Sequence, residues 1–116
     1  MSAVRRDEAI AFLQKAANAL LAAQLLAEAK GEMAQSLFFH TEQAAEDALR
    51  GFLAAHGEPV KGKNLAALLS QCAAVNPAFK EIQLIKTDYP ETALKQSKRI
   101  YDTVKTHLPA EIKAAM

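Results

Sequence analysis

Apolar residues recur at steps of three and four along most of this chain, and this spacing restricts its fold more than any other feature. The first such stretch runs from about Arg6 to Lys30, with apolar positions at Ile10, Leu13, Ala17, Leu20, Leu21 and Leu25. That spacing places side chains on one face of an α-helix. About one residue in five is alanine, the strongest helix former, and no stretch alternates as a half-buried strand does. The sequence therefore predicts an all-α protein.

A second helix is predicted from about Glu32 to His56. Its apolar positions are Leu37, Phe38, Ala45, Leu49, Phe52 and Leu53. Gly51 costs helix stability at this position, so we expect it to mark a close contact between helices. Gly31 is a helix stop signal, and the short connection predicts that the first two helices form an antiparallel hairpin.

Shorter helices are predicted in the second half of the chain. Asn64 is a good N-cap for a helix from Leu65 to about Val75, and Asn76 followed by Pro77 starts another that reaches about Lys86. Pro90 opens a last helix that runs to about Leu108, with an inner face formed by Leu94, Ile100 or Tyr101, Val104 and Leu108. The tail Ala110–Met116 continues as a helical turn. The prediction is an up-and-down bundle of about five helices, three long and two short, in a single domain over residues 1–116.

Composition excludes several classes of site. Cys72 is the only cysteine, so neither an intramolecular disulfide nor a zinc site built on paired cysteines is possible. His40 lies near acidic residues of the second helix but has no second histidine at metal-ligand spacing, so we expect no metal site. The chain has no glycine-rich phosphate loop after a strand, and no cofactor is expected.

The N-terminal half of the sequence is the part that predicts the cellular compartment. Gln24 and Glu28 interrupt the most apolar stretch, so we expect no membrane-spanning segment and no membrane association. No cleavable leader pattern follows Arg5 and Arg6. The sequence therefore predicts a cytoplasmic protein.

Basic residues line one side of the last predicted helix. They are Lys95, Lys98, Arg99 and Lys105, with Asp102 interrupting them, and Tyr101 is a candidate for stacking on a base. A clustered basic strip can bind a phosphate backbone even when the net charge of the chain is only +1. The alternative interpretation is an ordinary solvated face. Further lysines would extend the strip if the fold brings them near, namely Lys61, Lys63, Lys80 and Lys86.

Several segments together resemble a known family. The run from Ala34 to Gly57, with Gln43-Ala44-Ala45-Glu46 followed by Ala48-Leu49-Arg50, resembles the second helix of the HEPN domain. The segment Lys63–Leu69 is similar to the family's K-x-H-x-L-x-x-L stretch, and Tyr89-Pro90 with the helix after it fits the family's last part. The resemblance covers almost the whole chain.

The resemblance implies a bundle of four or five helices that is usually a homodimer. HEPN proteins include toxin ribonucleases, antiphage proteins and partners of minimal nucleotidyltransferases. The ribonuclease members use an arginine followed, after four to six residues, by a histidine, and the two copies meet at a dimer cleft. This chain departs from the family at Asn64, where histidine is common, and at Asp88, where arginine is frequent.

Three residues are candidates for ribonuclease chemistry. Arg50 and His56 match the family spacing, but on one continuous helix their side chains point about 120° apart. We therefore expect Arg50 on a solvated face and His56 at a helix C-terminus, where a cationic histidine complements the helix dipole. His107 lies eight positions after Arg99, which is outside the family spacing.

Cys72 occupies an apolar position and is interpreted as a core residue.

The resulting prediction is a HEPN-like binding module that lacks full ribonuclease chemistry. It is expected to associate with nucleotide or RNA, to form a homodimer and to be the partner of a minimal nucleotidyltransferase. Adjacent Phe38 and Phe39 cannot both face the core, which leaves one for a partner. Two alternatives stay open at this point. One is a HEPN endoribonuclease toxin that uses a histidine base, and the other is a helical adaptor that binds proteins only.

Overall fold

The structure is a computed structural model that describes residues 3–28 and 34–116. Within these residues five α-helices follow one another, with a short 3-10 helix at Pro77–Glu81 between the third and the fourth. They are α1 (Ala3–Glu28), α2 (Ala34–Ala55), α3 (Leu65–Val75), α4 (Pro90–Thr106) and α5 (Ala110–Ala115). The predicted all-α class and helical bundle are confirmed. The expected stop at Gly31, and the helix ends at Lys30 and Glu32, lie outside the described residues.

Helices α1 and α2 pack against each other along their length in opposite directions. Arg5, near the start of α1, donates a hydrogen bond to the carbonyl oxygen of Gly57, just beyond the end of α2 (3.0 Å). Further along the pair, Gly51 lies so close to Leu13 that an added Cβ would be 2.8 Å from two carbons of that side chain. The predicted hairpin and the predicted close contact at Gly51 are both confirmed.

The buried face of α1 differs from the predicted one. It consists mainly of small residues and is formed by Ala9, Leu13, Ala16, Leu20 and Ala23. Leu21 and Leu25 were expected inside, but they are 54% and 59% exposed. The reason is the close approach of α2, since a helix pair in contact through glycine and alanine has room for alanines at the seam but little for leucines.

The segment between α3 and α4 corrects a second prediction. Only Pro77–Glu81 is helical, whereas the helix was expected to reach Lys86. Ile82 already has extended backbone (φ −87°, ψ 117°), and the backbone N–H of Ile85 donates to the side-chain oxygen of Gln96 on α4 (2.7 Å). This contact supplies the backbone of residue 85 with an acceptor that a helix would otherwise provide, so tertiary structure outweighs the local helix signal. Ile85, expected on an apolar helix face, is 57% exposed.

The connection from α2 to α3 is held by one side chain. The side-chain oxygen of Gln71 accepts hydrogen bonds from the backbone N–H groups of Lys61 and Gly62, and its amide group donates to the carbonyl oxygen of Pro59. Asn64 then caps α3 by accepting from the N–H of Ala67 (2.9 Å), as its position predicted. Residues 58–64 therefore form an ordered return of the chain to the start of α3.

Helix α4 runs in the same direction as α2. Ser97, in its first half, donates to the carbonyl oxygen of Thr41 (2.9 Å), and His107, just after its end, accepts a hydrogen bond from His56 just after the end of α2. The main core lies where α4, α3 and the 3-10 helix meet the α1–α2 hairpin. Its largest fully buried side chains include Phe52, Phe79, Leu13, Leu49, Leu53, Leu68 and Ile100.

Helix α1 also bears on the expectation about membranes. Residues 4–28 form a helix that is long and apolar enough, by length and composition, to cross a membrane. The expectation that no stretch has this character is therefore wrong. The same helix packs Ala9, Leu13 and Ala16 into the core of the bundle, although only 28% of its most apolar window is buried, and both core helices and N-terminal signal sequences pass the same test. The apolar stretch by itself is weak evidence of membrane insertion.

Candidate phosphate-binding face

Helix α4 has its apolar and its basic residues on different sides. Tyr89 has extended backbone and Pro90 occupies the first helical turn, which is the position in a helix that tolerates proline. Ala93, Ser97, Ile100 and Val104 face the core at steps of three and four. Leu94, which was predicted for the inner face, is only half-buried, and of the two predicted alternatives Ile100 is buried whereas Tyr101 is half-buried. The opposite side is left to solvent and carries the basic residues.

An open depression of about 410 Å³ lies along this outer side. It is lined by Lys95, Lys98, Arg99, Asp102, Thr103, Thr106 and His107. Three of the five predicted phosphate-binding residues therefore line one depression, and His107 joins them. Helix geometry accounts for this arrangement, since residues three, four and seven apart share a face.

The cations of the depression are not neutralised by acids. Lys95, Lys98 and Arg99 form no ion pair with any acidic residue in the described part of the chain, and neither does Asp102. Arg99 makes one long hydrogen bond, from its guanidinium to the carbonyl oxygen of Glu81 (3.5 Å). Three cations and one carboxylate give the depression a formal charge of +2, which favours an anionic ligand.

Lys105 and Tyr101 stand apart from the depression. The Lys105 ammonium lies 5.6 Å from the centroid of the Tyr101 ring, in a cation–π arrangement. The tyrosine ring is half-buried against the core, and burial, together with the neighbouring Asp102 carboxylate, raises the pKa of its phenol. The structure thus pairs these two residues with each other and does not place the tyrosine ring over the basic depression, where a base would stack.

Two histidines meet at the end of the bundle near the depression. His56 donates from Nε2 to the carbonyl oxygen of His107 (3.1 Å), and its ring packs on Phe52 with centroids 4.3 Å apart. His107 donates from Nδ1 to the carbonyl oxygen of Thr103 (2.9 Å). The Nε2 atom of His107 has no hydrogen-bond partner among the described residues, so one ring nitrogen of the depression is available to a ligand. Sequence spacing gave no sign of the contact between the two histidines.

Arg50 lies away from both histidines. Its guanidinium forms ion pairs with Asp47 (3.0 Å) and Glu46 (3.7 Å) on the same helix. Burial raises the pKa of Glu46, the nearby Arg50 lowers it, and the carboxylates of Glu42 and Asp47 raise it. Arg50 is half-buried, so the expected solvated position is wrong, whereas His56 lies just after the end of α2 as expected. Arg50 and His56 do not converge on one site.

The remaining predicted residues lie elsewhere. His40 contacts the ring of Phe39 with centroids 5.5 Å apart, and within residues 3–28 and 34–116 no group of His, Cys, Asp or Glu is placed to hold a metal ion. The additional lysines at 61, 63, 80 and 86 do not line the depression, so it ends with the residues of α4 and His107. Cys72 is buried and burial raises the pKa of its thiol to about 12, which agrees with a core residue.

The structure explains one of the two departures from the family pattern, at Asn64, but not the other, at Asp88. Asn64 uses its side-chain oxygen to cap α3. Asp88 is exposed and makes no ion pair within the described residues. The structure gives no reason for aspartate rather than arginine at position 88.

The fold is a small all-α bundle that carries an unneutralised basic depression on its last long helix. The family model for the HEPN domain matches residues 9–107 of the 116, and the chain belongs to the HEPN domain family. HEPN domains are nucleotide- and RNA-associated modules. No curated protein gives a significant match to the chain, and neither does any solved structure.

Proposed function

We propose that this HEPN domain is a binding module that holds a nucleotide or RNA by its phosphates. The observation that carries the proposal is the +2 depression on α4, where Lys95, Lys98 and Arg99 have no acidic partner in the described chain. Such groups gain most from a phosphate, because no internal ion pair has to be broken when it binds. The half-buried Tyr101, already in contact with Lys105, argues for recognition of phosphate over recognition of base.

The test is the salt dependence of binding to a short, fluorescein-labelled single-stranded RNA, measured by fluorescence anisotropy. Each phosphate contact to a single strand contributes about −0.7 to the slope of log K against log salt. Three contacts therefore predict a slope of about −2. Lys98→Gln should reduce the slope by about 0.7 and weaken binding, because Lys98 is exposed and has no described partner to lose.

Lys80→Gln is the matched control, since Lys80 is also exposed and lies outside the depression. It should leave both affinity and slope unchanged. Absence of binding at low salt, to RNA and to ATP alike, would reject the proposal. An equal loss of affinity in both variants would show that the RNA binds to the positive surface charge in general and not specifically to this depression.

A second candidate function is endoribonuclease activity with His107 as the base. The observation that favours it is that Arg99 and His107 line one depression and that Nε2 of His107 is available. Cleavage at a 2′-hydroxyl uses a proton acceptor and a cation that stabilises phosphate charge, and His107 and Arg99 are groups of these two kinds. His107→Gln should then abolish cleavage of the same RNA with its affinity kept. His56→Gln should leave cleavage unchanged, because the Nε2 of His56 is occupied.

We further propose that the domain works in the cytoplasm as a homodimer and as the partner of a minimal nucleotidyltransferase. The support is family membership together with exposed apolar side chains on the two hairpin helices, among them Phe39, which is 60% exposed. Sedimentation at micromolar concentration should give twice the chain mass, and Phe39→Ser should shift it toward one chain. A single-chain mass for the unmodified protein would reject the dimer. Capture of a protein partner without any RNA or nucleotide binding would instead favour the adaptor.

A further inference from the structure

A second cavity lies on the other side of α4. It has a volume of about 570 Å³, is partly open to solvent, and is bordered by α2, the start of α3, the extended segment 82–89 and α4. Its wall is mainly apolar and includes Phe38, Ala45, Leu65, Leu84 and Ala93. The volume lies within the range of about 300–1,000 Å³ that is typical of small-molecule binding sites. An apolar wall with a few polar groups is also typical of such sites.

Two opposite charges line this cavity without being paired. Glu42 comes from α2 and Lys86 from the extended segment. Neither side chain makes an ion pair or a hydrogen bond to any residue within 3–28 or 34–116. A carboxylate and an ammonium thus border the same apolar space, and each is free to receive a group of opposite charge from a ligand.

Two amide side chains add hydrogen-bond donors. The side-chain oxygen of Asn64 accepts from the N–H of Ala67, and that of Gln96 accepts from the N–H of Ile85. Both oxygens are thereby fixed in place by backbone groups. The NH2 group of each side chain has no acceptor in the described part of the chain, and both residues line the cavity. The polar lining therefore offers the ammonium of Lys86 and two amide NH2 groups as donors, and the carboxylate of Glu42 as an acceptor.

We propose that this cavity binds a small zwitterion with an apolar side chain, the chemistry of a free apolar amino acid or of an apolar dipeptide. The ligand's ammonium would lie at Glu42 and its carboxylate at Lys86, with the amide groups of Asn64 and Gln96 as further donors. Its side chain would contact Phe38 and Leu65. A phosphate is disfavoured here, because a single lysine shares the cavity with an acid. The site is separate from the depression on α4 and does not depend on the proposed function.

Isothermal titration calorimetry of the full chain tests this proposal. The ligands are L-phenylalanine, L-leucine and Leu-Leu, with N-acetyl-L-phenylalanine amide as a probe that keeps the apolar side chain and lacks both charges. We expect binding of the zwitterions and at least about tenfold weaker binding of the blocked probe. That factor corresponds to the loss of charge-assisted hydrogen bonds.

Variants locate the site. Glu42→Gln and Lys86→Gln should each weaken binding of the tightest zwitterion by about tenfold. Both side chains are exposed and unpaired, so folding should be retained and can be checked by circular dichroism. Glu58→Gln and Lys80→Gln carry the same changes outside the cavity and should leave binding unchanged. Lys98→Gln should also leave it unchanged, which separates this site from the phosphate-binding face.

Several results would overturn the proposal. They are the absence of heat for all three zwitterions at millimolar concentration, equal binding of the blocked probe, and unchanged binding in both cavity variants. Tighter binding of Leu-Leu than of leucine would support the proposal and identify a peptide as the source of the zwitterion. The reverse order would support it and identify a free amino acid.

Discussion

Replacing Gly51 by alanine tests the close packing of the α1–α2 hairpin. In an ordinary helix interior, this change stabilises by about 1 kcal/mol, because alanine loses less backbone entropy than glycine. Here the new Cβ would lie 2.8 Å from both Cγ and Cδ2 of Leu13 and 3.4 Å from the carbonyl oxygen of Ala9. Carbon atoms in good contact are about 3.5–4.0 Å apart, so the methyl group overlaps Leu13 by about 1 Å.

The overlap cannot be relieved cheaply. Leu13 has no exposed surface, and it packs within the main core. Adding one carbon to such a site typically costs about 1–3 kcal/mol. The gain in helix propensity offsets part of this cost, so we expect Gly51→Ala to lower the free energy of unfolding by about 1 kcal/mol.

The assay is urea unfolding followed by circular dichroism, for Gly51→Ala, Leu13→Ala and the double variant. Leu13→Ala alone should cost about 2–5 kcal/mol, because it removes a fully buried side chain. In the double variant the methyl at position 51 enters space that Leu13 has vacated. Its loss should therefore be smaller than that of the two single variants added together. A stabilising Gly51→Ala, or strictly additive losses, would refute the reasoning about this contact.

Three further predictions concern single side chains. Asn64→Ala should lower the free energy of unfolding by about 0.5–2 kcal/mol, because the N–H of Ala67 loses its capping acceptor. Asn64→Asp keeps an acceptor at this position and should retain most of the stability. Thermal unfolding of the two variants tests the difference. The pKa of Glu46 is raised from 4.5 in the folded state, so its contribution to stability is greatest below pH 4.5 and is lost as pH rises through the raised value. Glu46→Gln should therefore gain stability relative to the unmodified protein between about pH 4 and 7, and a constant difference across urea titrations at those pH values would contradict this. Cys72 should resist a thiol reagent at pH 8 in the native state and react fully in denaturant, because its pKa is about 12 and it is buried; rapid labelling of the native protein, read by mass spectrometry, would contradict the core assignment.

Local signals in the sequence predicted the helices well where the signal lies in the backbone chemistry of one or two residues. Asn64 caps α3, Asn76 caps the 3-10 helix and Pro90 begins α4 at the expected positions. Gly51 in the sequence also indicated a close contact between helices, although not that Leu13 of α1 is the residue it meets. These features were accessible because capping, a missing N–H and a missing Cβ act over a few residues.

Side-chain burial was predicted less well, because periodicity does not say how wide a buried face is. Leu21 and Leu25 fit the periodic pattern of α1 as well as Ala9 and Ala16 do, yet only the alanines are buried. Periodicity also failed to predict where the helix expected to reach Lys86 ends. Its apolar spacing is helical, but Gln96, which lies on another helix, accepts the hydrogen bond of the segment's backbone.

The sequence by itself determined the helical class, the hairpin of the first two helices, the membership of the HEPN family and the basic character of α4. Each of these follows from interactions within a helix or from the order of residues along the chain. Only the tertiary structure decided that the His56 ring meets the carbonyl oxygen of His107, that Gln96 accepts the N–H of Ile85, and that Glu42 and Lys86 border a common cavity. These relations join residues from separate elements or depend on which neighbours a side chain finds, and they exist only once the helices are packed.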